Sequence, residues 1–350
     1  MITYRDYIED IQSVATLDMP WNCFSGKSVL VTGATGLIGS FLVDLLCYGN
    51  RTGRISCKVY ALSRSEEKLR KRFPDFYQEE WFTPVIQDIT QPFGVEARMD
   101  YIVNCASNAH PRAYAEEPVE TITANVLGLY NLMEHTKKYG VQRFLEISSV
   151  EVYGNCVKTT DDFSEGYCGR IDCNTLRAGY PESKRVCEAL CQAYLQQESI
   201  PFVIARPCRI YGPTMSQSDS KAIAQFFRKA LASEDVVLKS KGDQVFSYCY
   251  VSDAVSAILI LLQRGEVGNA YNIADSRSIV SLAQLADMIA SNSGRKVRFE
   301  LPDQIENKGF SNATRGVLLT SKIERLGWRA RVDIASGVRK TVSILKSIEQ

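Results

Sequence analysis

The sequence predicts a doubly wound α/β fold, in which helices cover both faces of a parallel sheet, together with a smaller C-terminal α/β substrate domain. Short apolar segments alternate with helical patterns through roughly the first 206 residues, as in a parallel sheet. A glycine-rich turn, Thr32–Gly39, directly follows the first apolar segment and opens an apolar helical pattern. After Pro207 the alternation becomes less regular, which indicates a separate and smaller unit.

The expected domains follow from these changes of pattern. Residues 1–26 are predicted to form a helical extension, because apolar side chains between Tyr4 and Ala15 repeat at helical spacing. Residues 27–206 are predicted to form the larger, doubly wound domain. Residues 207–350 are predicted to form the substrate domain, with some interleaving of the chain between the two.

Each predicted strand is a short apolar run bounded by turn or helical residues. The predicted strands of the larger domain are Ser28–Thr32, Lys58–Leu62, Pro84–Asp88, Tyr101–Cys105, Arg143–Ser148 and Phe202–Ala205. A long helical pattern from Val119 to Tyr139 precedes the fifth of them. The smaller domain is expected to contain helices over residues 221–232, 254–262 and 281–291 and a strand over residues 271–274.

The glycine-rich turn predicts a dinucleotide-binding site in a Rossmann domain. Glycines at this spacing let the backbone turn sharply and approach a pyrophosphate, while the N-terminus of the next helix offers free N–H groups. The position between a five-residue apolar strand and an apolar helix is the context that this motif requires. The residues expected to contact the cofactor here are Gly33, Gly36, Leu37, Ile38 and Gly39.

The end of the second predicted strand bears on the identity of the dinucleotide. An acidic residue at this point would bind the ribose hydroxyls and favour NAD, but the chain reads Ser63-Arg64. The Arg64 guanidinium, with Ser63, could instead bind the 2′-phosphate of NADP. NADP is therefore the favoured cofactor and NAD the alternative. After the third strand, Asp88 and Ile89 are expected beside the adenine.

A tyrosine and a lysine four residues apart predict the chemistry. Tyr180 and Lys184 lie on one face of a predicted helix. There the lysine ammonium would lower the pKa of the tyrosine and make it a proton acceptor for a sugar hydroxyl. Ser149, in the Ser148-Ser149 pair, could hold the same substrate oxygen. With the glycine-rich turn, these residues predict nicotinamide-dependent hydride transfer.

Composition narrows the function classes. The chain has 350 residues, a formal net charge of +1 and no long basic block, so neither nucleic acid nor a membrane surface is expected as a partner. The N-terminus lacks the pattern of a signal peptide, and the eleven cysteines lack metal-ligand spacing. A cytoplasmic protein with free thiols and no bound metal is therefore expected.

These motifs together resemble the extended short-chain dehydrogenase/reductase family, within the NAD-dependent epimerase/dehydratase group that modifies nucleotide sugars. The resemblance covers roughly residues 26–345. It is strongest to the UDP-glucuronate decarboxylases, because Ser149-Val150-Glu151 occupies the position of their Thr-Ser-Glu motif. The 4,6-dehydratases carry an Asp proton donor at the place of Val150. The matching motifs are Thr32–Gly39, Asn125–Gly128, Ser148–Gly154, Tyr180–Lys184, Ala205–Pro213, Tyr248–Asp253 and Leu326–Trp328.

The resemblance implies roles for further residues. Glu151 would assist the chemistry at the stage of a 4-keto sugar. Cofactor contacts are implied for Ala106, Ser107 and Asn125, together with Tyr180 and Lys184. Substrate contacts are implied for Arg112, Arg209, Lys221 and Arg315. Phe246 departs from the family, which often has an arginine there that contacts the diphosphate.

The expected activity is oxidation of a sugar hydroxyl, at C4, through a bound nicotinamide cofactor, followed by decarboxylation or epimerisation chemistry on the ketone. An NADPH-dependent reductase of a nucleotide-activated sugar or ketone is an alternative that suits Arg64. A 4,6-dehydratase is a further alternative. A dinucleotide-binding sensor is disfavoured because Tyr180 and Lys184 are both present. The base of the nucleotide stays open among UDP, CDP and dTDP.

The resemblance also implies a homodimer. In this family two long helices of each subunit often pair with those of a second subunit. Here they would be the helix over Val119–Tyr139 and the helix that carries Tyr180. The apolar residues that the second helix could present are Val186, Leu190, Cys191, Tyr194 and Leu195.

Overall fold

A seven-stranded parallel sheet forms the centre of the protein in the computed structural model, which describes residues 1–2, 4–155, 162–300 and 313–349. The strands are β1 (Ser28–Thr32), β2 (Lys58–Ser63), β3 (Phe82–Ile86), β4 (Tyr101–Asn104), β5 (Arg143–Ile147), β6 (Phe202–Pro207), β7 (Arg209–Tyr211), β8 (Val236–Leu238), β9 (Val245–Tyr250), β10 (Ala270–Ile273), β11 (Ile279–Ser281), β12 (Val297–Phe299) and β13 (Arg315–Gly316). The order in the central sheet is β10-β6-β5-β4-β1-β2-β3, with every pair parallel. The predicted doubly wound fold is confirmed.

Helices cover both faces of this sheet. They are α1 (Arg5–Ala15), α2 (Leu37–Arg51), α3 (Glu66–Arg72), α4 (Pro111–Glu116), α5 (Pro118–Tyr139), α6 (Gly179–Glu198), α7 (Ala222–Leu231), α8 (Val251–Arg264), α9 (Leu282–Asn292), α10 (Ser321–Glu324) and α11 (Ile334–Glu349). Side chains alternate along β1, so that Val29 and Val31 pack with α2 and α8 whereas Leu30 packs with α5 and α6. Within the described ranges, none of these helices is long and apolar enough to cross a membrane.

The third strand begins earlier than the sequence predicted. It spans Phe82–Ile86 instead of Pro84–Asp88, because the buried ring of Phe82 packs on Phe73 with their centroids 5.7 Å apart. Pro84 lies within β3 opposite Ala61. This is tolerated because β3 is the edge of the sheet, where a residue without an N–H group breaks no hydrogen bond to an outer neighbour.

The chain returns to the central sheet after leaving it. Helix α8 has every side chain from Val251 to Leu262 buried, and it packs against α2, β5 and β6. A helix that is apolar all round must be covered on all sides. β10 then pairs with β6 at the edge of the sheet. Residues 251–273, within the segment expected to form the substrate domain, therefore contribute to the larger unit.

The smaller unit is built around β9. This strand pairs in parallel with β7 and β13 and antiparallel with β11, while β12 pairs with β8. Helices α7, α9 and α11 enclose a separate apolar core that includes Phe226, Phe227 and Leu285. Only Cys208 separates β6 from β7, so the smaller unit begins directly at the carboxyl end of the central sheet.

Buried charges fix the N-terminal helix α1 to the rest of the chain. Asp10, which is 1% exposed, accepts hydrogen bonds from the Tyr250 hydroxyl and the Lys340 ammonium, both at 2.6 Å. The Tyr7 hydroxyl donates to Asp44 of α2 at 2.5 Å. Helix α1 is therefore anchored to elements of both units, and its contacts are structural.

Candidate active site

A cavity of about 440 Å³ lies at the carboxyl ends of the central strands, where doubly wound sheets bind their ligands. One end is lined by the glycine-rich turn, including Gly33 and Gly39. The middle is lined by Ser149 and Tyr180, and the other end by Lys221 and further residues of the smaller unit. The cavity therefore joins the predicted dinucleotide site to the predicted substrate site.

Two glycines of the glycine-rich turn, Gly33 and Gly39, lie too close to neighbouring backbone atoms for a side chain to fit. Gly33 has a φ of +59°, and a Cβ atom there would lie 2.7 Å from the Cys105 carbonyl oxygen. A Cβ atom on Gly39 would lie 2.4 Å from the Gly33 carbonyl oxygen. Helix α2 begins at Leu37 directly after Gly36, and no side chain caps its first N–H groups. The turn and the helix N-terminus therefore fit the phosphates of a dinucleotide.

Arg64 directly follows β2, at the position where an acidic residue would favour NAD. Arg64 is exposed. A hydrogen bond from the Thr90 backbone N–H lowers the pKa of Asp88, and the Arg64 charge acts in the same direction. Ser63 is buried at the end of β2, and Ile89 is buried beside α5. The adenosine contacts of these residues stay a prediction.

The loop after β4 supplies further polar atoms. The Ala106 N–H donates to the Thr32 hydroxyl at 3.0 Å. Ser107 lines the cavity, and its hydroxyl oxygen has no hydrogen-bond partner in the part of the chain that the structure describes. Asn125 of α5 donates to the Ser183 hydroxyl at 2.8 Å and does not line the cavity. Ser107 is thus placed to meet a ligand directly, whereas Asn125 acts on α6.

Tyr180 lies in the middle of the cavity and is 6% exposed. Its ring stacks on Tyr114 with the centroids 4.7 Å apart, and the Ser149 hydroxyl, which lines the same cavity, acts to lower the pKa of Tyr180. Burial raises the pKa of Tyr180 above its usual value, and the Lys184 ammonium only partly offsets this rise. The lysine acts in the direction that the sequence predicted, but burial, which the prediction did not include, has the larger effect, so the pKa of Tyr180 is raised.

Lys184 is almost entirely buried, at 2% exposed. Its ammonium donates to Glu146 Oε1 at 3.1 Å and to the Ile147 carbonyl oxygen at 2.6 Å. Burial alone would lower the pKa of Lys184, but the Glu146 carboxylate raises it, as does the negative charge of Tyr180 when that side chain is ionised. The sequence did not predict Glu146 as a residue of the site. A single charged residue within the apolar strand β5 was a signal that could have identified it.

Glu151 lines the cavity and forms an ion pair that the sequence analysis missed. Arg177 Nη2 donates to both carboxylate oxygens of Glu151 at 2.6 Å. The same guanidinium lies 4.8 Å from the ring centroid of Tyr114, which stacks on Tyr180. Arg177 precedes Tyr180 by three residues, a spacing that could have suggested its place beside the site. Glu151 is therefore held in a fixed position close to Tyr180.

Two of the predicted substrate cations line the cavity. The Arg209 guanidinium lies 3.3 Å from the ring centroid of Phe246, on the neighbouring strand β9. Lys221 precedes α7, and its ammonium lies 3.0 Å from Asp219 Oδ2. Both cations are thus placed where a phosphate or carboxylate of a substrate could bind.

The other two predicted substrate cations lie outside the cavity lining. Arg112 Nε donates to the two carboxylate oxygens of Glu116, one helical turn further along α4, at 2.9 and 2.8 Å. Arg315 on β13 donates from Nε to Asp162 Oδ1 at 2.9 Å. Each of these two arginines therefore pairs with a carboxylate and lies outside the cavity lining.

Comparison with known proteins identifies the family. The model of the NAD dependent epimerase/dehydratase family matches residues 29–274. The chain belongs to this family. It is 31% identical to UDP-glucuronic acid decarboxylase 6 of Arabidopsis thaliana over 314 residues, which is 90% of this chain and 87% of that protein. It is 29% identical to UDP-glucuronic acid decarboxylase 1 of Xenopus tropicalis, over 90% of this chain and 71% of that protein.

Solved structures share the fold over nearly the whole chain. A dTDP-glucose 4,6-dehydratase of Streptomyces venezuelae, solved with NAD, has a TM-score of 0.79 and 26% identity, covering 91% of this chain and 97% of its own. A UDP-glucuronic acid 4-epimerase of Bacillus cereus has a TM-score of 0.77 over 92% and 99%. At 20% identity the epimerase supports the fold alone. The predicted membership of the epimerase/dehydratase family is confirmed.

The Glu151–Arg177 pair generates a test of the role of the carboxylate. In Glu151→Gln the amide cannot exchange a proton at neutral pH. If Glu151 serves the stage after oxidation, reduced nicotinamide should accumulate on the enzyme, seen by its near-ultraviolet absorbance. Product formation should fall by about 10²-fold, the usual cost of losing an acid–base group.

A matched control is Glu182→Gln, which removes a carboxylate paired with Arg185 on α6 at 3.2 Å but outside the cavity lining. It should behave as wild type. A change of less than about threefold in turnover of Glu151→Gln, within the range of ordinary surface substitutions, would show that Glu151 is only a structural partner of Arg177.

Proposed function

We propose that this protein oxidises a hydroxyl group of a nucleotide sugar, at C4, through a bound nicotinamide cofactor, and then performs decarboxylation or epimerisation chemistry on the ketone. Return of the hydride to the ketone would close the cycle without net oxidation. The arrangement of Tyr180, Ser149 and Lys184 in one cavity carries the proposal. The UDP-glucuronic acid decarboxylases of Arabidopsis thaliana, at 30–31% identity over 90% of the chain, support a nucleotide-sugar substrate.

Three side chains would take part in removing the proton of the sugar hydroxyl during its oxidation, while the bound cofactor would supply the hydride acceptor. Ser149 is placed to orient the sugar oxygen, since it lines the cavity together with Tyr180. Tyr180 takes the proton from the same oxygen. Lys184 supplies the positive charge that favours the tyrosinate. Because the pKa of Tyr180 is raised, the oxidation rate should increase as the pH rises through the neutral range.

Glu151 and Arg177 would act on the ketone. A ketone at C4 weakens the bonds of neighbouring carbons to hydrogen or to a carboxylate, and a fixed carboxylate can then move a proton. The bidentate contact with Arg177 holds Glu151 in position for this step. Val150, between Ser149 and Glu151, is buried and has no proton to donate, which disfavours a 4,6-dehydratase.

A net reductase is the second candidate, and two observations favour it. The end of β2 carries Ser63 and Arg64 instead of an acidic residue, as suits NADPH, which a net reductase consumes. The raised pKa of Tyr180 also leaves its hydroxyl protonated at neutral pH, as a proton donor to a ketone requires. The substrate would then be a nucleotide-activated sugar or ketone.

One experiment separates the two candidates. The purified protein is denatured, and the released cofactor and any nucleotide sugar are identified by mass spectrometry. It is also assayed with UDP-glucuronate, UDP-glucose and dTDP-glucose without added reductant. Tightly held oxidised cofactor and turnover without reductant are expected for the proposed cycle. Turnover only with added NADPH would establish the reductase instead.

Tyr180→Phe should abolish turnover and leave cofactor binding nearly unchanged. The substitution removes the hydroxyl that exchanges the proton but keeps the ring that stacks on Tyr114. A loss of about 10²-fold or more in kcat is expected, with cofactor affinity measured separately by titration. Retention of more than about a tenth of wild-type activity would contradict the role of Tyr180.

Arg64→Asp should change the cofactor preference. We propose that the wild type prefers NADP, because Arg64 is exposed at the end of β2 where a 2′-phosphate would lie. The substitution should lower the affinity ratio of NADP to NAD by at least about tenfold, since one charge-assisted hydrogen bond contributes roughly 1.5–3 kcal/mol. Arg54→Asp, another exposed arginine, is the control. A wild type that already binds NAD more tightly would contradict the preference.

The protein is further proposed to form a homodimer through α5 and α6. The exposed apolar side chains on these helices are Val119, Ile122, Leu127, Tyr130 and Val186, each between 40% and 65% exposed. The face differs in part from the one the sequence suggested, because Cys191 and Tyr194 of α6 are buried in the core of their own subunit. Val186 remains exposed, so a second copy of the chain can cover it together with the exposed apolar side chains of α5.

Light scattering tests the dimer. The wild type at micromolar concentration should have twice the 39.2 kDa mass of one chain. Tyr130→Glu combined with Val186→Glu should yield the monomer, because charges would be buried in the interface. Val267→Glu, an exposed apolar residue outside α5 and α6, should stay dimeric. A wild type of 39.2 kDa would refute the dimer.

A further inference from the structure

A row of polar side chains crosses the centre of the sheet directly below the active site. Thr32 on β1 pairs in register with Asn104 on β4, and Asn104 pairs in register with Glu146 on β5. All three side chains are at most 3% exposed. Strand interiors of a sheet covered on both faces are normally apolar, so three buried polar residues in one register need a specific partner.

Hydrogen bonds join the row from end to end. The Thr32 hydroxyl donates to Asn104 Oδ1 at 2.7 Å, and Asn104 Nδ2 donates to Glu146 Oε2 at 2.7 Å. The other carboxylate oxygen of Glu146 accepts from the Lys184 ammonium at 3.1 Å. At the opposite end, Thr32 accepts from the Ala106 N–H. The row therefore connects the glycine-rich turn to the catalytic lysine.

Few groups other than Glu146 can balance the charge of Lys184. The nearby thiols of Cys105 and Cys187 have pKa values raised by burial to about 12, so they stay neutral. Burial likewise raises the pKa of Cys191 well above its usual value. Glu188 is turned to Arg206, whose Nη2 lies 2.5 Å from Glu188 Oε2. Burial raises the pKa of Tyr180 above its usual value, so its hydroxyl also stays neutral at neutral pH.

We propose that Glu146 is a positioning residue of the active site, which keeps the buried Lys184 as an ammonium ion and holds it beside Tyr180. The proposal rests on the function proposed above for Tyr180 and Lys184. Glu146 acts through the lysine and does not touch the substrate. The hydrogen bonds from Thr32 to Asn104 and from Asn104 to Glu146 Oε2 fix the carboxylate. Its other oxygen, Oε1, then faces Lys184 and no other cation among the described residues.

The proposal has a consequence for pH. Without the carboxylate, burial becomes the dominant influence and lowers the pKa of Lys184. The ammonium would then be lost as the pH rises through the neutral and alkaline range. In the wild type burial also raises the pKa of Glu146, but the Lys184 charge and the hydrogen bond from Asn104 oppose that rise. The pKa of Lys184 is raised as well, so the ion pair persists across the neutral range. Loss of the Glu146 charge should therefore be harmless at low pH and harmful at high pH.

The first experiment compares pH profiles of kcat/KM for wild type, Glu146→Gln and Glu146→Asp. The glutamine variant should approach wild-type activity near pH 6, and its activity relative to wild type at the same pH should fall by roughly tenfold per pH unit above the new pKa of Lys184. The aspartate variant retains the charge and should restore most of the wild-type profile. A purely structural role would instead lower activity by the same factor at every pH, which would overturn the proposal.

A matched control is Asp10→Asn, which removes a buried carboxylate from a lysine partner, Lys340, outside the cavity. It should reduce stability and leave the shape of the pH profile unchanged. If Asp10→Asn reproduces the profile of Glu146→Gln, the effect is one of general destabilisation and the proposal fails.

The second experiment does not depend on activity. Lys184 is acylated with acetic anhydride across a pH series, and the modified peptide is quantified by mass spectrometry, because only the neutral amine reacts. In the wild type the acylation rate of Lys184 should begin to rise at a higher pH than that of exposed lysines. In Glu146→Gln it should begin to rise at a lower pH than that of exposed lysines. A wild-type Lys184 that titrates before exposed lysines overturns the proposal even if the variant does not fold. If no tested nucleotide sugar is turned over, the proposed function fails while this measurement still decides the role of Glu146.

Discussion

The burial of Lys184 is the constraint on which the active site depends. A lysine removed from water needs a compensating charge and acceptors for its N–H groups, and both come from β5, through the Glu146 carboxylate and the Ile147 carbonyl oxygen. Removing one partner of such a buried pair typically destabilises a protein by roughly 3–5 kcal/mol. The contact therefore fixes α6 to the carboxyl end of the sheet. Tyr180, one turn earlier on α6, is positioned by the same contact.

The position of Tyr180 in turn sets the order of the remaining groups. Its ring stacks on Tyr114, and Tyr114 lies under the Arg177 guanidinium that binds Glu151. The residues of both proposed stages thus belong to one packed layer along the cavity. A layer of this kind is rigid, because the side chains are held by stacking and ion pairs at the same time. Fixed groups of this kind suit a reaction in which two successive steps occur on one bound sugar.

The sequence predicted the parts of the site that follow from local spacing. The glycine-rich turn, the strands and the Tyr180–Lys184 pair depend on residues within a few positions of one another, so their patterns can be recognised in the sequence alone. Glu146 and Arg177 were missed because their partners lie 38 and 26 residues away and meet them only after folding. Arg112 was predicted to contact the substrate, but it lies outside the cavity lining and pairs with Glu116, four residues further along α4. The net pKa of Tyr180 depends on burial, which spacing does not reveal.

The substrate end of the cavity keeps positive charge despite the loss of a family residue. Phe246 stands where the resemblance implies an arginine, but the ring of Phe246 carries the Arg209 guanidinium at 3.3 Å. Arg209 lies on β7, which pairs directly with β9, so a cation on the neighbouring strand lines the cavity at this end. Contact with an aromatic face orients a guanidinium without neutralising it. An anionic group of the substrate can therefore still be bound at this end, from a different strand and with a different direction of approach. The identity of the sugar is for this reason better sought from the shape of this altered end than from the decarboxylases alone.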